Sequence, residues 1–387
     1  MTRNSLILIV VLSVVAILLG YNYFYKPFAK LNLPEIGQTE VEPAATPSPE
    51  DLIRSQVSKM SSGELAKELL AVAIDSDQDQ TSSSSASQWV AEANPGFVIL
   101  FGTQISTESA RTVIDSWQPA ESWLMVDHEG GSVQRLSGQG FTRLDSWAEI
   151  CGSQDQTETT ATLVQSAEEL SELGVKIVLA PMVDLAKPSH PVFRSRVCSD
   201  QPEVVVDWAQ RYISSFRLQG ILPVLKHFPG IGQTKFDLHQ QFDTVEVTED
   251  QAGVYLKLLE RNPDLGVLVS HVGVKNQYAD WPCSLSSSCV GELTSAFPET
   301  LIISDSIDMN SVQTEDERLA DDQLAIKMWQ AGTQVIILGK NLDKEQLDKL
   351  IEDLSREIEA DQSLAEIVQK RVEEVLIFKH NFEENNR

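Results

Sequence analysis

Residues 222–240, LPVLKHFPGIGQTKFDLHQ, join a short apolar run to a loop that is rich in titratable side chains. Lys226 and His227 end the apolar run, and Asp237 and His239 follow a Pro-Gly turn further along the loop. An apolar run without alternating polar residues is typical of a strand buried on both faces, as in a parallel sheet. The stretch therefore predicts a buried strand whose carboxyl end carries chemically active groups.

Similar runs recur along the chain, and segments with helical periodicity separate them. The eight runs are residues 68–74, 97–102, 123–127, 175–184, 222–227, 265–271, 300–305 and 333–339. The helical pattern TATLVQSAEELSELG precedes the fourth run, and PEVVVDWAQRYISSFRLQG precedes the fifth. Buried strands that alternate with helices in this way are typical of a closed (β/α)8 barrel. We therefore predict an α/β fold, a single TIM-type barrel over residues 53–387.

Polar side chains end five of these runs: Asp127, Asp184, Lys226 with His227, His271 and Asp305. Since the carboxyl ends of barrel strands meet at one rim, we expect these side chains to ring a common pocket. Asp184 and His271 are equally well explained as buried structural groups whose hydrogen bonds are satisfied.

The segment VDHEGGSVQRL brings a carboxylate and a guanidinium group close together. Gly130 and Gly131 allow a tight turn beyond the strand, so Asp127 and Arg135 can both face the pocket. An acceptor carboxylate and a forked cationic donor suit a ligand with several hydroxyl groups. The alternative is an internal ion pair between the same two residues.

Asp237 and His239 are two residues apart, so in an extended segment their side chains point the same way. The aspartate would orient the imidazole, and a histidine with a pKa near the working pH gives and takes protons. Asp305 would supply a nucleophile opposite, which fits double displacement at an acetal carbon. The alternatives are a coincidental Asp-x-His on the surface and an aspartate that caps the next helix.

The acidic composition argues against a nucleic-acid partner. Fifty-seven acidic and 30 basic residues give a formal charge of −27, which repels nucleic acid. No motif has the spacing of a metal site, so we expect neither a metal nor an organic cofactor.

The N-terminal residues predict a membrane anchor. No residue from Ser5 to Tyr25 is charged, and a helix needs about 20 apolar residues to cross a bilayer. We expect residues 1–30 to form a single-pass anchor in the cell membrane, residues 31–52 a flexible stalk, and the following domain to be exported. The alternative is a cleavable signal peptide, which would release a secreted protein.

The cysteines permit disulfides in an exported domain. Cys283 and Cys289 are close enough in sequence to close a small loop, which would leave Cys151 and Cys198 as the second pair. Four cysteines allow three pairings, so other pairings and four free buried thiols remain as alternatives.

These segments together resemble family 3 glycoside hydrolases, in particular the single-domain β-N-acetylglucosaminidases of bacteria. The resemblance covers about residues 64–340 in the family's order: FVILFG, DHEGGSVQRL, LAPMVDL, HPVFRSRVCSDQPEVV, KHFPGIGQTKFDLH, VLVSH, ISDSIDM and AGTQVIIL. KHFPG followed by Asp-x-His is specific to the N-acetylglucosaminidase branch, since related β-glucosidases place a glutamate acid/base elsewhere.

The resemblance implies a retaining mechanism, in which Asp305 attacks the anomeric carbon and His239, oriented by Asp237, acts as acid and base. It also implies sugar-binding positions, which are Asp127, Arg135, Arg196, Lys226 and His227. The implied activity is exo-acting release of terminal N-acetylglucosamine from cell-wall (peptidoglycan) fragments or chito-oligosaccharides. Alternatives are a sugar-binding protein without turnover and a phosphorylase, since a histidine acid/base tolerates an incoming phosphate better than a carboxylate does. The sequence does not define the oligomeric state, and we expect a monomer.

Four positions depart from the family pattern. Ser132 replaces the arginine after the double glycine, and Ile231 replaces the second histidine of KHFPGHG. Leu238 replaces a small hydroxyl residue, and Ser306 replaces the second aspartate after the nucleophile. None of these positions has a role in bond breaking, so we expect the departures to affect loop geometry and specificity.

Overall fold

The computed structural model describes residues 47–79, 86–117, 121–275, 277, 281–313, 319–340 and 342–386. The predicted anchor, residues 1–30, lies outside these ranges. Residues 31–46 of the predicted stalk lie outside them as well. Within the described ranges, no helix is both long and apolar enough to cross a bilayer. The first described helix, Pro49–Val57, begins inside the predicted stalk, because Ser48 and Asp51 form a capping box there. Folded structure therefore begins a few residues before the predicted boundary at residue 53.

The eight predicted runs form the parallel strands of one sheet. They are β1 (Leu70–Asp75), β2 (Phe97–Phe101), β3 (Trp123–Val126), β4 (Val175–Val178), β5 (Leu222–Phe228), β6 (Gly266–Val269), β7 (Leu301–Ser304) and β8 (Ile336–Ile337). From β1 to β7, each strand pairs with the next strand along the chain. The last strand, β8, pairs with β1. A parallel bridge between Ile303 and Val335 joins the two remaining edges. The (β/α)8 prediction is confirmed, although the fourth run is a strand only over its first residues.

Helices precede the first strand, lie between the strands and follow the last one. They are α1 (Pro49–Val57), α2 (Ser62–Glu68), α3 (Ser76–Asp79), α4 (Ala86–Ala93), α5 (Thr107–Trp117), α6 (Trp147–Cys151), α7 (Gln156–Glu172), α8 (Pro202–Arg217), α9 (Glu249–Arg261), α10 (Ser287–Ala296), α11 (Asp321–Ala331), α12 (Lys344–Ala360) and α13 (Gln362–Asn385). Apolar residues spaced by three and four give α8 one buried face, which includes Val205, Trp208, Ala209, Tyr212, Ile213 and Phe216. The two helices expected before β4 and β5 are confirmed as α7 and α8.

All four cysteines of the chain are paired, as Cys151–Cys198 and Cys283–Cys289. Of the alternatives that the sequence left undecided, the structure has the pairing that closes the small loop between Cys283 and Cys289, and the alternative of free thiols is wrong. The first disulfide joins the end of α6 to the segment after the 3-10 turn Arg194–Arg196. The second joins the 3-10 turn Cys283–Leu285 to the first turn of α10.

Candidate active site

A cavity of about 410 Å³ lies at the carboxyl ends of the barrel strands, within the range of roughly 300–1,000 Å³ that is usual for small-molecule sites. Every strand contributes a residue at or next to its end: Asp75, Phe101, Asp127, Leu179, Lys226, Leu268, Asp305 and Ile337. All eight predicted site residues line this cavity, which are Asp305, His239, Asp237, Asp127, Arg135, Arg196, Lys226 and His227. The structure therefore brings together residues that are far apart in sequence, whereas their individual roles stay predictions.

A short hairpin after β3 places Arg135 beside Asp127. Its strands, His128–Gly130 and Val133–Gln134, are antiparallel, and Gly130 and Gly131 make the turn at φ values of 94° and 57°. A residue with a side chain is strained at such positive angles, so the turn requires glycine here. The Arg135 amide donates to the Asp127 carbonyl at 3.2 Å, and its guanidinium donates to Asp127 Oδ2 at 3.1 Å. The predicted tight turn is confirmed.

Asp127 lies between two cations at the base of the cavity. Lys226 Nζ donates to Asp127 Oδ1 at 3.0 Å, opposite the contact with Arg135. Burial acts to raise the pKa of Asp127, but Lys226 and Arg135 outweigh it and hold that pKa far below its ordinary value. The ion pair and the pocket position, which the sequence offered as alternatives, are both present. Asp127 is thus a fixed anionic acceptor at the floor of the cavity.

Glu129 is a member of this network that the sequence analysis missed. Its side chain is almost fully buried, accepts from Arg196 Nε and Nη2 at 2.9 Å each, and lies 2.5 Å from Lys226 Nζ. Burial raises the pKa of Glu129, but Arg196 and Lys226 together lower it to about 2. Burial acts to lower the pKa of Lys226, but Asp127 and Glu129 outweigh it and raise that pKa. Glu129 therefore holds two predicted sugar-binding cations in place as charged groups.

The spacing of Asp127 and Glu129 gave a signal that could have identified the glutamate. Residues two apart in an extended segment point to the same side, and Glu129 shares the side of Asp127. His128, between them, has a buried ring whose Nε2 lies 2.7 Å from Ser166 Oγ. Burial lowers the pKa of His128 to about 3, so this histidine is neutral in the core and takes no part in the cavity.

His227 is oriented from behind by Asp184. Asp184 Oδ2 accepts from the His227 backbone amide at 3.1 Å and lies 2.8 Å from His227 Nδ1. Because a carboxylate accepts, the proton of a neutral imidazole lies on Nδ1, and Nε2 is left as an acceptor for a ligand hydroxyl. Asp184 is fully buried and does not line the cavity. Its alternative interpretation as a structural group is confirmed.

The loop after β5 carries the predicted Asp–His pair to the cavity. Asp237 Oδ1 lies 2.7 Å from His239 Nδ1 and accepts from the His239 amide at 2.9 Å. The carbonyls of Leu238 and His239 accept from the amides of Ser311 and Asn310, at 3.2 and 3.4 Å. The loop is therefore attached to the segment that follows β7, which is the segment that begins with Asp305.

The imidazole of His239 remains accessible, with its side chain 70% exposed. Its Nδ1 donates to Asp237, so Nε2 is the nitrogen that can exchange a proton with a ligand. Burial acts to raise the pKa of Asp237, but the hydrogen bonds from His239 outweigh it and lower that pKa. Asp237 is therefore an anionic partner that can stabilise an imidazolium ion.

Asp305 follows β7 and is held at the strand end by its backbone. Its amide donates to the Val269 carbonyl at 2.9 Å, and the Ser306 amide donates to Asp305 Oδ1 at 2.9 Å. One carboxylate oxygen of Asp305 is thus fixed by a backbone amide. His271, which was expected either in the pocket or as a structural group, is fully buried outside the cavity.

Three of the four positions that depart from the family pattern line the cavity, namely Ile231, Leu238 and Ser306, whereas Ser132 does not. Ile231 and Leu238 are buried at the cavity wall. Within the described ranges, no group of histidine, cysteine, aspartate or glutamate side chains is arranged to hold a metal ion. The cavity is therefore a polar floor of ion pairs with partly apolar walls.

A (β/α)8 barrel with its polar cavity at the carboxyl ends of the strands is the architecture of many barrel enzymes. Among the families with this architecture, residues 62–376 of the chain fit the model of the glycosyl hydrolase family 3 N terminal domain. The chain belongs to glycosyl hydrolase family 3.

Relatives and solved structures agree with this membership. The chain is 28% identical over 222 residues to the beta-hexosaminidase LpqI of Mycobacterium tuberculosis, with 55% of this chain and 57% of the relative covered. It is 27% identical over 277 residues to a beta-hexosaminidase of Bordetella avium, with 67% and 77% covered. The fold matches the beta-N-acetylhexosaminidase of Beutenbergia cavernae with a TM-score of 0.72 at 19% identity, over 83% of this chain and 99% of that one. The chain thus spans little more than half of the mycobacterial relative's length.

Proposed function

We propose that the protein is a retaining exo-β-N-acetylhexosaminidase that releases terminal N-acetylglucosamine from cell-wall (peptidoglycan) fragments or chito-oligosaccharides. The observation that carries the proposal is that one cavity holds both Asp305 and the Asp237–His239 pair. A carboxylate and a proton-transfer group at one site are what double displacement at an anomeric carbon requires. The names of the relatives, which are beta-hexosaminidases, support the sugar class.

In the first step, Asp305 Oδ2 attacks the anomeric carbon while the bond to the leaving oxygen breaks. His239, protonated on both nitrogens at this point, gives its Nε2 proton to that oxygen, and the leaving sugar departs as an alcohol. The product is a glycosyl ester of Asp305. Asp237 stabilises the imidazolium before the transfer, because its carboxylate lies 2.7 Å from Nδ1.

In the second step, neutral His239 takes a proton from water through Nε2, and the resulting hydroxide attacks the anomeric carbon. The ester bond breaks, Asp305 leaves as a carboxylate, and the sugar keeps its original anomeric configuration. The cations and acceptors of the cavity floor would bind the sugar hydroxyls, with Asp127, Arg135, Arg196, Lys226 and His227 as the contacts. Their ion pairs fix these groups before the substrate arrives, which lowers the entropy cost of binding.

The test is hydrolysis of aryl N-acetyl-β-glucosaminides by the purified full-length chain, with Asp305→Ala as the matched variant. Turnover should fall by about four orders of magnitude or more in the variant, while its thermal midpoint and its binding of N-acetylglucosamine stay close to wild type. Intact-protein mass spectrometry with a slow substrate should show one added sugar on the wild type and none on Asp305→Ala. Sugar binding without any turnover would instead favour a carbohydrate-binding protein.

The same assay distinguishes a phosphorylase. The acid/base pair in this cavity is a histidine and an aspartate, and a neutral imidazole repels incoming phosphate less than a glutamate would. Product formed as free N-acetylglucosamine at a rate independent of phosphate supports hydrolysis. Product formed as N-acetylglucosamine 1-phosphate, with a rate that rises with phosphate, would overturn the hydrolase proposal.

We also propose that residues 1–30 anchor the chain in the cell membrane and that the barrel is exported. The uncharged stretch from Ser5 to Tyr25 supports the anchor, and the paired cysteines support export because disulfides persist in oxidising compartments. Protease treatment of intact cells should remove the barrel from a full-length, membrane-bound chain. A barrel found in the medium would show that the segment is cleaved, and a barrel protected in the cytoplasm would contradict export.

A further inference from the structure

A second set of contacts lies behind Asp305, outside the cavity. His271 follows β6, and its ring is fully buried. Nδ1 lies 2.7 Å from Ser284 Oγ, and Nε2 lies 3.0 Å from the carbonyl oxygen of Ser306. The ring therefore links the loop that carries Ser284 to the residue next to Asp305.

These two partners fix the protonation of the ring. A carbonyl oxygen only accepts, so Nε2 carries a proton and donates it to Ser306. A serine hydroxyl can donate, so a neutral ring accepts at Nδ1 from Ser284 Oγ. Burial, the largest effect, lowers the pKa of His271 and agrees with the neutral state. The serine thus selects the tautomer that supports the Ser306 carbonyl.

Ser306 transmits this support to Asp305. Its amide donates to Asp305 Oδ1 at 2.9 Å, so the orientation of Ser306 determines the orientation of the carboxylate. Its carbonyl oxygen accepts from His271 and also from the Met309 amide at 3.1 Å. Both lone pairs of that carbonyl oxygen are therefore used. Ser306 is thus hydrogen-bonded through its amide on one side and through its carbonyl on the other.

The Cys283–Cys289 disulfide encloses Ser284. Both sulfur-bearing side chains are fully buried. The Cys283 amide donates to the Val272 carbonyl at 2.8 Å, next to His271 in sequence. Ser286 Oγ accepts from the Cys289 amide at 3.3 Å and caps α10. The closed loop thus holds the serine hydroxyl against the ring from a position fixed at both ends.

We propose that His271 and Ser284 are positioning residues for Asp305, and that the Cys283–Cys289 disulfide keeps Ser284 in place. The inference rests on the proposed function, in which Asp305 is the nucleophile. Displacing a reacting atom by about 1 Å costs about 100-fold in rate. The proposed sugar-binding residues lie on other segments of the chain and keep their own ion pairs, so loss of the contacts from His271 and Ser284 should lower kcat and leave KM unchanged.

The test compares Ser284→Ala and the double variant Cys283→Ala/Cys289→Ala with wild type, all as full-length chains, on an aryl N-acetyl-β-glucosaminide. We expect kcat to fall about 10- to 100-fold in both, with KM and the Kd of N-acetylglucosamine within about twofold of wild type. The matched control is Cys151→Ala/Cys198→Ala. That disulfide is two residues from Arg196, so its removal should raise KM and leave kcat nearly unchanged.

Wild-type kcat in both test variants would overturn the proposal, as would an equal change in kcat and in sugar affinity. Should a variant fail to fold, nitrogen-15 NMR of His271 in the wild-type chain decides, with the signal assigned by its loss in His271→Gln. A neutral ring protonated at Nε2 from pH 6 to 8 supports the proposed positioning of Asp305 by His271 and Ser284, and any other protonation state overturns it. A wild-type chain that binds sugar without turnover would refute the proposed function alone, because the NMR result does not depend on turnover.

Discussion

Replacing Glu129 by glutamine tests the charge network under the cavity, because the change removes one negative charge and keeps the side chain's size. Burial raises the pKa of Glu129, but Arg196 and Lys226 lower it from an ordinary 4.5 to about 2. At about 1.4 kcal/mol per pH unit, this fall corresponds to about 3 kcal/mol of stabilisation of the ionised form. Removing one partner of a buried ion pair typically costs about 3–5 kcal/mol. We therefore expect Glu129→Gln to lower the free energy of unfolding by about 3 kcal/mol at pH 7.

The pH dependence of this loss identifies its cause. The pKa of Glu129 is lower in the folded state than in the unfolded state, so its stabilisation is complete above about pH 4.5 and disappears as the pH falls towards 2. Glutamine does not titrate, so the gap between wild type and variant should shrink to roughly half near pH 3. Urea denaturation from pH 3 to pH 7 measures the gap. Binding of N-acetylglucosamine should weaken as well, because Arg196 and Lys226 lose their shared partner.

Glu203→Gln is the matched control for this experiment. Its carboxylate is 78% exposed and lies 3.9 Å from Lys257 Nζ. Exposed pairs of this kind contribute at most about 1 kcal/mol, so the control should change stability by less than about 0.5 kcal/mol. A loss below about 1 kcal/mol for Glu129→Gln, or a gap that does not vary with pH, would refute the assignment of Glu129 as the ionic anchor.

Three further predictions concern the loop after β5 and its support. His239→Ala should lower kcat by about 10²- to 10⁴-fold on a natural disaccharide and far less on a dinitrophenyl glycoside, whose leaving group needs no proton; steady-state kinetics on both substrates tests this. Asp184→Asn should cost about 1–3 kcal/mol and weaken sugar binding, since its amide would face the donors of His227; denaturation and titration measure the two effects. Gly232→Ala should lower kcat, because the new Cβ would lie 2.2 Å from the Leu185 carbonyl oxygen and displace the loop; a variant with wild-type kcat would contradict the close fit.

The fold could be predicted from the sequence because a parallel barrel buries both faces of each strand. The runs at 97–102 and 222–227 are apolar almost throughout, and both are strands in the structure. The fourth run was predicted too long, since the regular strand ends at Val178, although the equally apolar residues after it keep backbone contacts with β5, such as the bridge between Met182 and Lys226. Apolar character records burial, and it does not separate a strand from the buried segment that continues it.

The sequence could predict those site residues whose side chains end a strand. It could not predict the backbone contacts that hold the site's loops in place. Asp127 and Asp305 were expected because strand ends converge. The attachment of the loop after β5 to the segment after β7 depends on backbone hydrogen bonds to Leu238 and His239, and a backbone carries no sequence signal. The disulfide pairing stayed undecided for a related reason, since sequence spacing alone does not choose among the possible pairings.

The same reliance on the backbone explains how the cavity accommodates the departures from the family pattern. The amide of Ile231 donates to Asp184 Oδ1 at 2.7 Å, the carbonyl of Leu238 accepts from Ser311, and the amide of Ser306 orients Asp305. Each position contributes to the geometry through its main chain, which any residue other than proline supplies in full. The side chains of Ile231, Leu238 and Ser306 line the cavity, so under the proposed function these departures bear on which sugar is bound. Asp305 and the Asp237–His239 pair keep the contacts on which the proposed reaction depends.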